Sequence, residues 1–334
     1  MIKFRILTIA AALLTSSVAL AETSEVKISK GFGVPYLPMM VMQDRQLLEK
    51  HAAAAGLGNV KVTWATIDGG NVINDAMLSG ALDIATIGPP GFATLWNKTQ
   101  SMAQLRIKGV AAVSSGTVYL NTRNPNIKTL RDFGPNDRIA VPGIKTSAVA
   151  MILQMGAEKE FGTENFAKLD PLTVGLPHPE AVQALLAGKT EINSHFASQP
   201  FAAVERRDPN IRTVIDSTAI FGGPTTVIMA FTTHRFHDAN PKTYRAFVTA
   251  LDEADAIINA DKRAAADTFV KLSGARAKVD DVMVSLDDPG TIFTTTPQGV
   301  MQYFKFMQRA KLISEAPGSW KDVFFEGIHG LPGG

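Results

Sequence analysis

The chain has 334 residues, with 33 lysine and arginine side chains against 31 aspartate and glutamate side chains. This length is enough for two domains, and the balanced charge without a basic tract argues against a nucleic-acid partner. The chain has no cysteine, which excludes disulfides, thiolate metal sites and a lipid-modified cysteine.

Residues 1–21 have the three parts of an export signal. Lys3 and Arg5 form a basic region, an apolar run follows, and Ala19-Leu20-Ala21 supplies the small residues that signal peptidase recognises. The uncharged stretch Ile6–Ala21 is short for a membrane span, which needs about 20 residues. We therefore predict cleavage after Ala21. With neither a span nor a lipid anchor, the sequence favours the periplasm.

Two segments of the chain resemble each other, LSGALDIATIGPPGF from Leu78 and LAGKTEINSHFASQPF from Leu186. Each follows an amphipathic helix, and Gly80 and Gly188 stand where a helix end favours a left-handed residue. A short strand is predicted after each glycine, over Asp83–Ile87 and over Glu191–Ser194.

An earlier pair of segments, VKISKGFGVPYLPMM and RIAVPGIKTSAVAM, repeats the pattern of a strand, a Gly/Pro loop and a helix. Strands alternating with helices predict parallel α/β sheets, and two such halves predict two lobes. Strand-like sequence over Val110–Leu120 is expected to leave the first lobe, and Thr225–Thr232 to return to it. Two crossings of this kind form a hinge.

We expect lobe 1 to comprise residues 22–117 and 226–334, and lobe 2 residues 118–225. Further helices are predicted over Pro241–Asn259, Asp261–Leu272 and Pro297–Lys311.

Three segments carry a family resemblance: MLSGALDIATIGPPGF, IKTLRDFGPNDRIAVPG and HPEAVQALLAGKTEI. The chain resembles the periplasmic binding components of nitrate, sulfonate and taurine ABC transporters, and the resemblance covers nearly all of the mature chain. The resemblance implies an α/β, two-lobed periplasmic binding protein-like (type II) fold with a ligand cleft between the lobes. It also implies a partner permease in the inner membrane and no cofactor. The loops Gly143–Ser147 and Ser194–Gln199 depart from the family pattern, which leaves the ligand open.

Ligands of open α/β sheets bind beyond the carboxyl ends of the strands. Four loops should therefore face one cleft: Phe32–Pro38, Gly88–Phe92, Gly143–Ser147 and His195–Gln199. The candidate ligand-binding residues are Phe32, Tyr36, Gly88, Pro89, Pro90, Thr146, Ser147, His195, Gln199 and, at the second crossing, Thr225.

Thr146 and Ser147 are the best candidates for an anion contact, because a helix is expected to begin there and its first N–H groups and dipole favour negative charge. Ordinary N-capping explains the same residues. The proline pair after Gly88 equally suits a simple strand-to-helix turn, and Thr225 a strand start. His195 and Gln199 offer donors but also suit structural roles, and Phe32 and Tyr36 suit either a pocket wall or the core.

The sequence has no Gly-x-x-x-x-Gly-Lys-Ser/Thr phosphate loop and no Gly-x-Ser-x-Gly elbow. His234 and His237 lack the further ligands of a metal site. We expect a monomeric binding protein for a small anionic organic solute, sulfonate- or taurine-like, with no catalytic or metal residues. The alternatives are a same-fold enzyme, a sensory module, or a receptor for an aromatic carboxylate, nitrate or a pyrimidine.

Overall fold

The computed structural model describes residues 21–67, 70–273 and 278–334, so all of the predicted signal peptide except Ala21 lies outside the described residues. The strands are β1 Glu25–Lys30, β2 Lys61–Thr66, β3 Ile84–Ile87, β4 Ile107–Gly116, β5 Tyr119–Thr122, β6 Ile139–Val141, β7 Thr173–Gly175, β8 Ser194–Ala197, β9 Arg212–Asp216 and β10 Thr225–Thr233. The helices are α1 Leu37–Arg45, α2 Leu47–Ala54, α3 Gly70–Ser79, α4 Pro89–Thr99, α5 Ala148–Phe161, α6 His178–Ala187, α7 Phe201–Glu205, α8 Ser217–Phe221, α9 His234–Ala239, α10 Pro241–Ala260, α11 Lys262–Leu272, α12 Val279–Leu286, α13 Val300–Arg309 and α14 Trp320–Val323.

The strands form two five-stranded sheets of the same topology, in the orders β2-β1-β3-β10-β4 and β7-β6-β8-β5-β9. We call the sheets and the helices packed on them lobe 1 and lobe 2. The expectation of parallel sheets is only partly right: β10 runs antiparallel to β3 and β4, and β5 runs antiparallel to β8 and β9. Each of these strands enters its sheet from the other lobe, so its direction is opposite to that of its neighbours.

The two glycines predicted to end helices do so in left-handed conformations, with φ of 76° at Gly80 and 62° at Gly188. The strand predicted over Glu191–Ser194 is wrong by three residues, because the ladder with β5 and β6 is made by Ser194–Ala197. The last long helix begins at Val300 rather than at Pro297, since Gly299 precedes it with a left-handed φ of 64°.

Aromatic side chains fill the centre of lobe 1. Phe92 packs against Phe231, Phe304 and Phe324 with ring centroids 5.7, 6.2 and 6.3 Å away, and Trp96 meets Phe304 edge-on at 5.3 Å. Burial of each such ring is worth about 1.5–3 kcal/mol. Since Phe92 and Trp96 lie on α4, this cluster holds the start of α4 rigidly at the end of β3.

Side-chain contacts join the two lobes at two places. Tyr119 Oη donates to Asp288 Oδ2 at 2.8 Å. The Arg309 guanidinium on α13 reaches the Glu158 carboxylate on α5 at 2.7 Å. The two lobes therefore contact each other in this structure.

Candidate functional site

A cavity of about 80 Å³ lies between the lobes, beyond the ends of β3 and β6. Its lobe 1 wall includes Phe32, Pro35, Tyr36, Gly70, Ile73, Ile87 and Gly88. Its lobe 2 wall includes Pro142, Thr146, Ser147, Ala148, Val149, His178 and Ser198. The cavity is therefore where the strand ends of both sheets meet, as expected for a ligand site in open α/β sheets.

Apolar side chains dominate the lobe 1 wall. Phe32 and Tyr36 come from the turn after β1, and Ile87 ends β3. A Cβ on Gly31 would lie 2.6 Å from the Tyr36 ring, so a side chain at this position would displace the tyrosine. Phe32 and Tyr36, which the sequence offered as either pocket wall or core, line this cavity.

The start of α5 forms the polar part of the lobe 2 wall. The Ala150 N–H donates to Ser147 Oγ at 3.3 Å, so Ser147 is the N-cap that the sequence predicts. Ser147 keeps its own O–H as a donor. The N–H groups of Ala148 and Val149 have no partner among the described residues and belong to the first helical turn, where the positive end of the dipole lies.

No arginine or lysine is among the described residues that line the cavity. Lys145, which immediately precedes Thr146, turns away with a left-handed φ of 59° and lies 3.8 Å from Asp170. Any preference of the cavity for an anion therefore depends on hydrogen-bond donors and the helix dipole rather than on a formal positive charge.

The proline pair lies behind the cavity rather than in its wall. Gly88 lines the cavity and caps α4, whereas Pro89 and Pro90 are the buried first two residues of that helix and do not line it. A Cβ on Gly88 would lie 2.8 Å from Ala148 Cβ, so this glycine permits the lobes to approach each other. Because proline has no N–H, α4 offers few donors to the cavity.

His195 was expected in a cleft loop, and the structure differs. It lies within β8, it is fully buried and it does not line the cavity. Its Nε2 lies 2.8 Å from Nδ1 of His178, which does line the cavity. Sequence reasoning missed His178, although it opens the quoted segment HPEAVQALLAGKTEI, directly after Pro177 and at the start of α6.

Two other candidates lie outside the cavity. Gln199 lines a separate small void, and it joins the lobes because its backbone O accepts from the Val34 N–H and its Nε2 donates to Asp288 at 3.0 Å. Thr225 is buried at the start of β10 against Gly299, where its strand position explains it.

Within the part of the chain that the structure describes, no group of three His, Cys, Asp or Glu side chains could hold a metal ion. The same residues contain no helix with the length and apolar character needed to cross a membrane.

A two-lobed α/β chain with a cavity where both sets of strand ends meet defines the class of the periplasmic binding protein fold. Residues 19–273 match the model of the NMT1-like family, and the chain belongs to that family. No curated protein matches it in sequence. The resemblance seen in the sequence motifs is thus confirmed for family and fold.

Solved structures agree with this fold. The periplasmic aliphatic sulphonate binding protein SsuA of Escherichia coli is similar with a TM-score of 0.68 at 16% identity, over 91% of this chain and 93% of that one. The alkanesulfonate-binding protein SsuA of Xanthomonas axonopodis pv. citri, bound to MOPS, gives 0.62 at 16% identity over 87% and 93%. A Candida albicans gene product, CA3427, with the generic periplasmic binding protein fold, gives 0.65 at 14% identity over 91% and 94%.

Proposed function

We propose that the chain is the periplasmic solute-binding component of an ABC importer and captures a small anionic organic solute, sulfonate-like, for delivery to a permease in the inner membrane. Lobe 1, residues 22–117 and 226–334, and lobe 2, residues 118–225, close on the solute about the two crossing segments. Phe32, Tyr36, Gly88, Thr146 and Ser147 belong to the binding site. The chain acts by binding and release, not by catalysis.

The observation that carries the proposal is the start of α5 at the cavity. It brings the unpartnered N–H groups of Ala148 and Val149 and the Ser147 hydroxyl to one wall, while Phe32 and Ile87 offer apolar surface opposite. An anionic head group on a short apolar body matches these two walls. Helix N-termini bind such anions without a formal positive charge.

The structural neighbours support the same solute class. The Escherichia coli neighbour is an aliphatic sulphonate binding protein, and the Xanthomonas neighbour is an alkanesulfonate-binding protein bound to MOPS. Both share the fold of this chain at 16% identity, so the solute itself has to be measured.

The test is titration calorimetry and thermal unfolding of the mature chain with ethanesulfonate, taurine, nitrate, benzoate and uracil. A dissociation constant near 1 μM, about −8 kcal/mol, is expected for a sulfonate. A solute at 100 times its dissociation constant stabilises the fold by about 2.7 kcal/mol. If only uracil or only benzoate binds, the proposed sulfonate class is wrong and the solute that binds takes its place. If mass spectrometry shows that a bound solute is chemically changed, the result favours an enzyme.

A matched pair of serine variants separates the site from general helix capping. Ser147→Ala removes both the cap of α5 and a donor to the solute, whereas Ser319→Ala removes only the cap of α14. Each loses about 1 kcal/mol of stability. Only Ser147→Ala should bind the sulfonate about tenfold more weakly, the usual effect of losing a hydrogen bond to a charged group.

A further inference from the structure

His178 is a lining residue of the cavity. It is the first residue of α6, it is 8% exposed, and its ring stacks on Phe201 with centroids 5.5 Å apart. Its Nδ1 lies 2.8 Å from His195 Nε2, whereas the Nε2 of His178 itself has no hydrogen-bond partner among the described residues. Of the two ring nitrogens of this lining residue, Nε2 is therefore the one left for a solute.

Behind His178 runs a chain of hydrogen bonds whose centre, His195 and Glu205, is fully buried. His195 Nδ1 lies 2.5 Å from Glu205 Oε1, and both side chains have no exposed surface. The second carboxyl oxygen of Glu205 accepts from Asn121 Nδ2 at 2.8 Å, and Thr213 Oγ1 donates to Asn121 Oδ1 at 2.8 Å. These bonds fix both imidazole rings and leave the proton positions as the one variable.

The charges around this chain limit those positions. The described lysines and arginines form no ion pair with Glu205, whose partner is His195. Arg206 lies over the Tyr119 ring at 4.2 Å, and Arg207 pairs with Asp281. A buried carboxylate without a compensating charge is costly, so burial favours a Glu205–His195–His178 chain whose net charge is zero.

Zero net charge gives one outcome at the cavity. When the extra proton is on His195 or on Glu205, His195 Nε2–H donates to His178 Nδ1 and the remaining proton of neutral His178 is on Nε2. When the extra proton is on His178, both ring nitrogens of His178 carry protons. Burial first, and the neighbouring His195 second, lower the pKa of His178 well below its usual range, which disfavours this last case. In each of these net-neutral arrangements His178 Nε2 carries hydrogen, whereas an ionised Glu205 beside two neutral imidazoles would leave it bare.

We propose that His178 Nε2–H is a hydrogen-bond donor to the bound solute and that Glu205, through His195, fixes it as a donor. The inference rests on the proposed function in taking the cavity as the solute site. Together with the N–H groups at the start of α5, this donor selects an oxygen acceptor, a sulfonate or carboxylate group, and rejects an ammonium group. His178 is thus a specificity-determining residue, and Glu205 and His195 are positioning residues.

The proton position is measured without any solute. Long-range ¹H–¹⁵N correlation spectra of the full chain labelled with ¹⁵N-histidine, assigned with His178→Gln, should show a protonated Nε2 and an unprotonated Nδ1 at His178 at pH 7. An unprotonated Nε2 at His178 would overturn the inference, whatever the cavity binds.

Binding supplies the second readout, with ethanesulfonate, propionate and propylammonium as probes. His178→Phe keeps the stacking ring without the donor and should weaken the anion that binds by about tenfold. His237→Phe is the matched control, because His237 also stacks on a phenylalanine, Phe325 at 3.9 Å, and does not line the cavity. Unchanged affinity in His178→Phe, or tight binding of propylammonium, refutes the inference. If no probe binds, the proposed function fails and the tautomer spectrum alone decides the proton position.

Discussion

A methyl group on Gly88 tests whether the lobes close at the cavity as the structure has them. Gly88 belongs to lobe 1 and Ala148 to lobe 2, and a Cβ on Gly88 would lie 2.8 Å from Ala148 Cβ. Gly88 has φ of −68° and ψ of 152°, which alanine adopts without strain. The perturbation in Gly88→Ala is therefore a steric contact between the lobes and not a backbone effect.

The size of the effect follows from overpacking. A methyl group forced into a close-packed contact costs about 1–3 kcal/mol. If solute binding needs the closed arrangement, this cost of about 1–3 kcal/mol raises the dissociation constant by about 5-fold to 140-fold, at about 1.4 kcal/mol for each factor of ten. If the lobes open without solute, as the proposed function requires, opening relieves the contact and the loss of thermal stability should be smaller than the loss of affinity.

A second substitution should rescue the first. In Gly88→Ala combined with Ala148→Gly, the nearest atoms to the new Cβ are Val227 O at 3.3 Å and the Cα of residue 148 at 3.7 Å. Calorimetry on the four members of this cycle should show most of the affinity restored in the double variant. Gly330→Ala is the neutral control, since nothing lies within 4 Å of its Cβ. Equal affinity in Gly88→Ala and the parent, or no rescue, would refute the closed contact.

Two further predictions concern stability alone. Burial, and next the charge of Asp252, raise the pKa of Asp255 to about 8, so this carboxyl stabilises the fold below its unfolded pKa and loses that contribution as pH rises through 8. Relative to Asp255→Asn, the parent should lose about 1.4 kcal/mol of unfolding free energy per pH unit between about pH 4 and pH 8. Denaturant titrations in which the unfolding free energies of the parent and the variant change in parallel with pH would contradict this. Gly109→Ala places a Cβ 2.4 Å from the buried Phe324 ring and should lower the unfolding free energy by about 1–3 kcal/mol, whereas melting equal to that of Gly330→Ala would count against the packing.

Local chemistry made part of the fold predictable. The left-handed Gly80 and Gly188 end helices because helix termination is decided within a few residues, and Ser147 begins α5 for the same reason. The shared pattern of the two halves likewise predicts two sheets of one topology. The antiparallel direction of β5 and β10 could not be predicted in the same way, because it depends on which lobe the chain comes from and not on the local sequence of the strand.

The lining of the cavity was predictable where residues follow directly after strands, and not where distant segments meet. Phe32, Tyr36, Gly88, Thr146 and Ser147 reach the cavity from short turns directly after strands. His195 was misplaced because a three-residue shift of β8 moved it from a loop into the sheet. His178 was missed because its importance comes from His195 and Glu205, which contact it only in the folded chain.

The two lobes share a scaffold and differ in chemistry at the same place. After β3 and after β6, the chain turns at the cavity and starts a helix against the other lobe. Pro89 and Pro90 remove N–H donors from the first turn of α4, whereas the start of α5 keeps the donors of Ala148 and Val149. Donors therefore come mainly from lobe 2, and apolar contact mainly from lobe 1. Under the proposed function, a solute with one acceptor group and one apolar side would contact both walls only when the lobes close. Binding energy from the two walls would then favour the closed state, which is how a ligand shifts a two-state equilibrium.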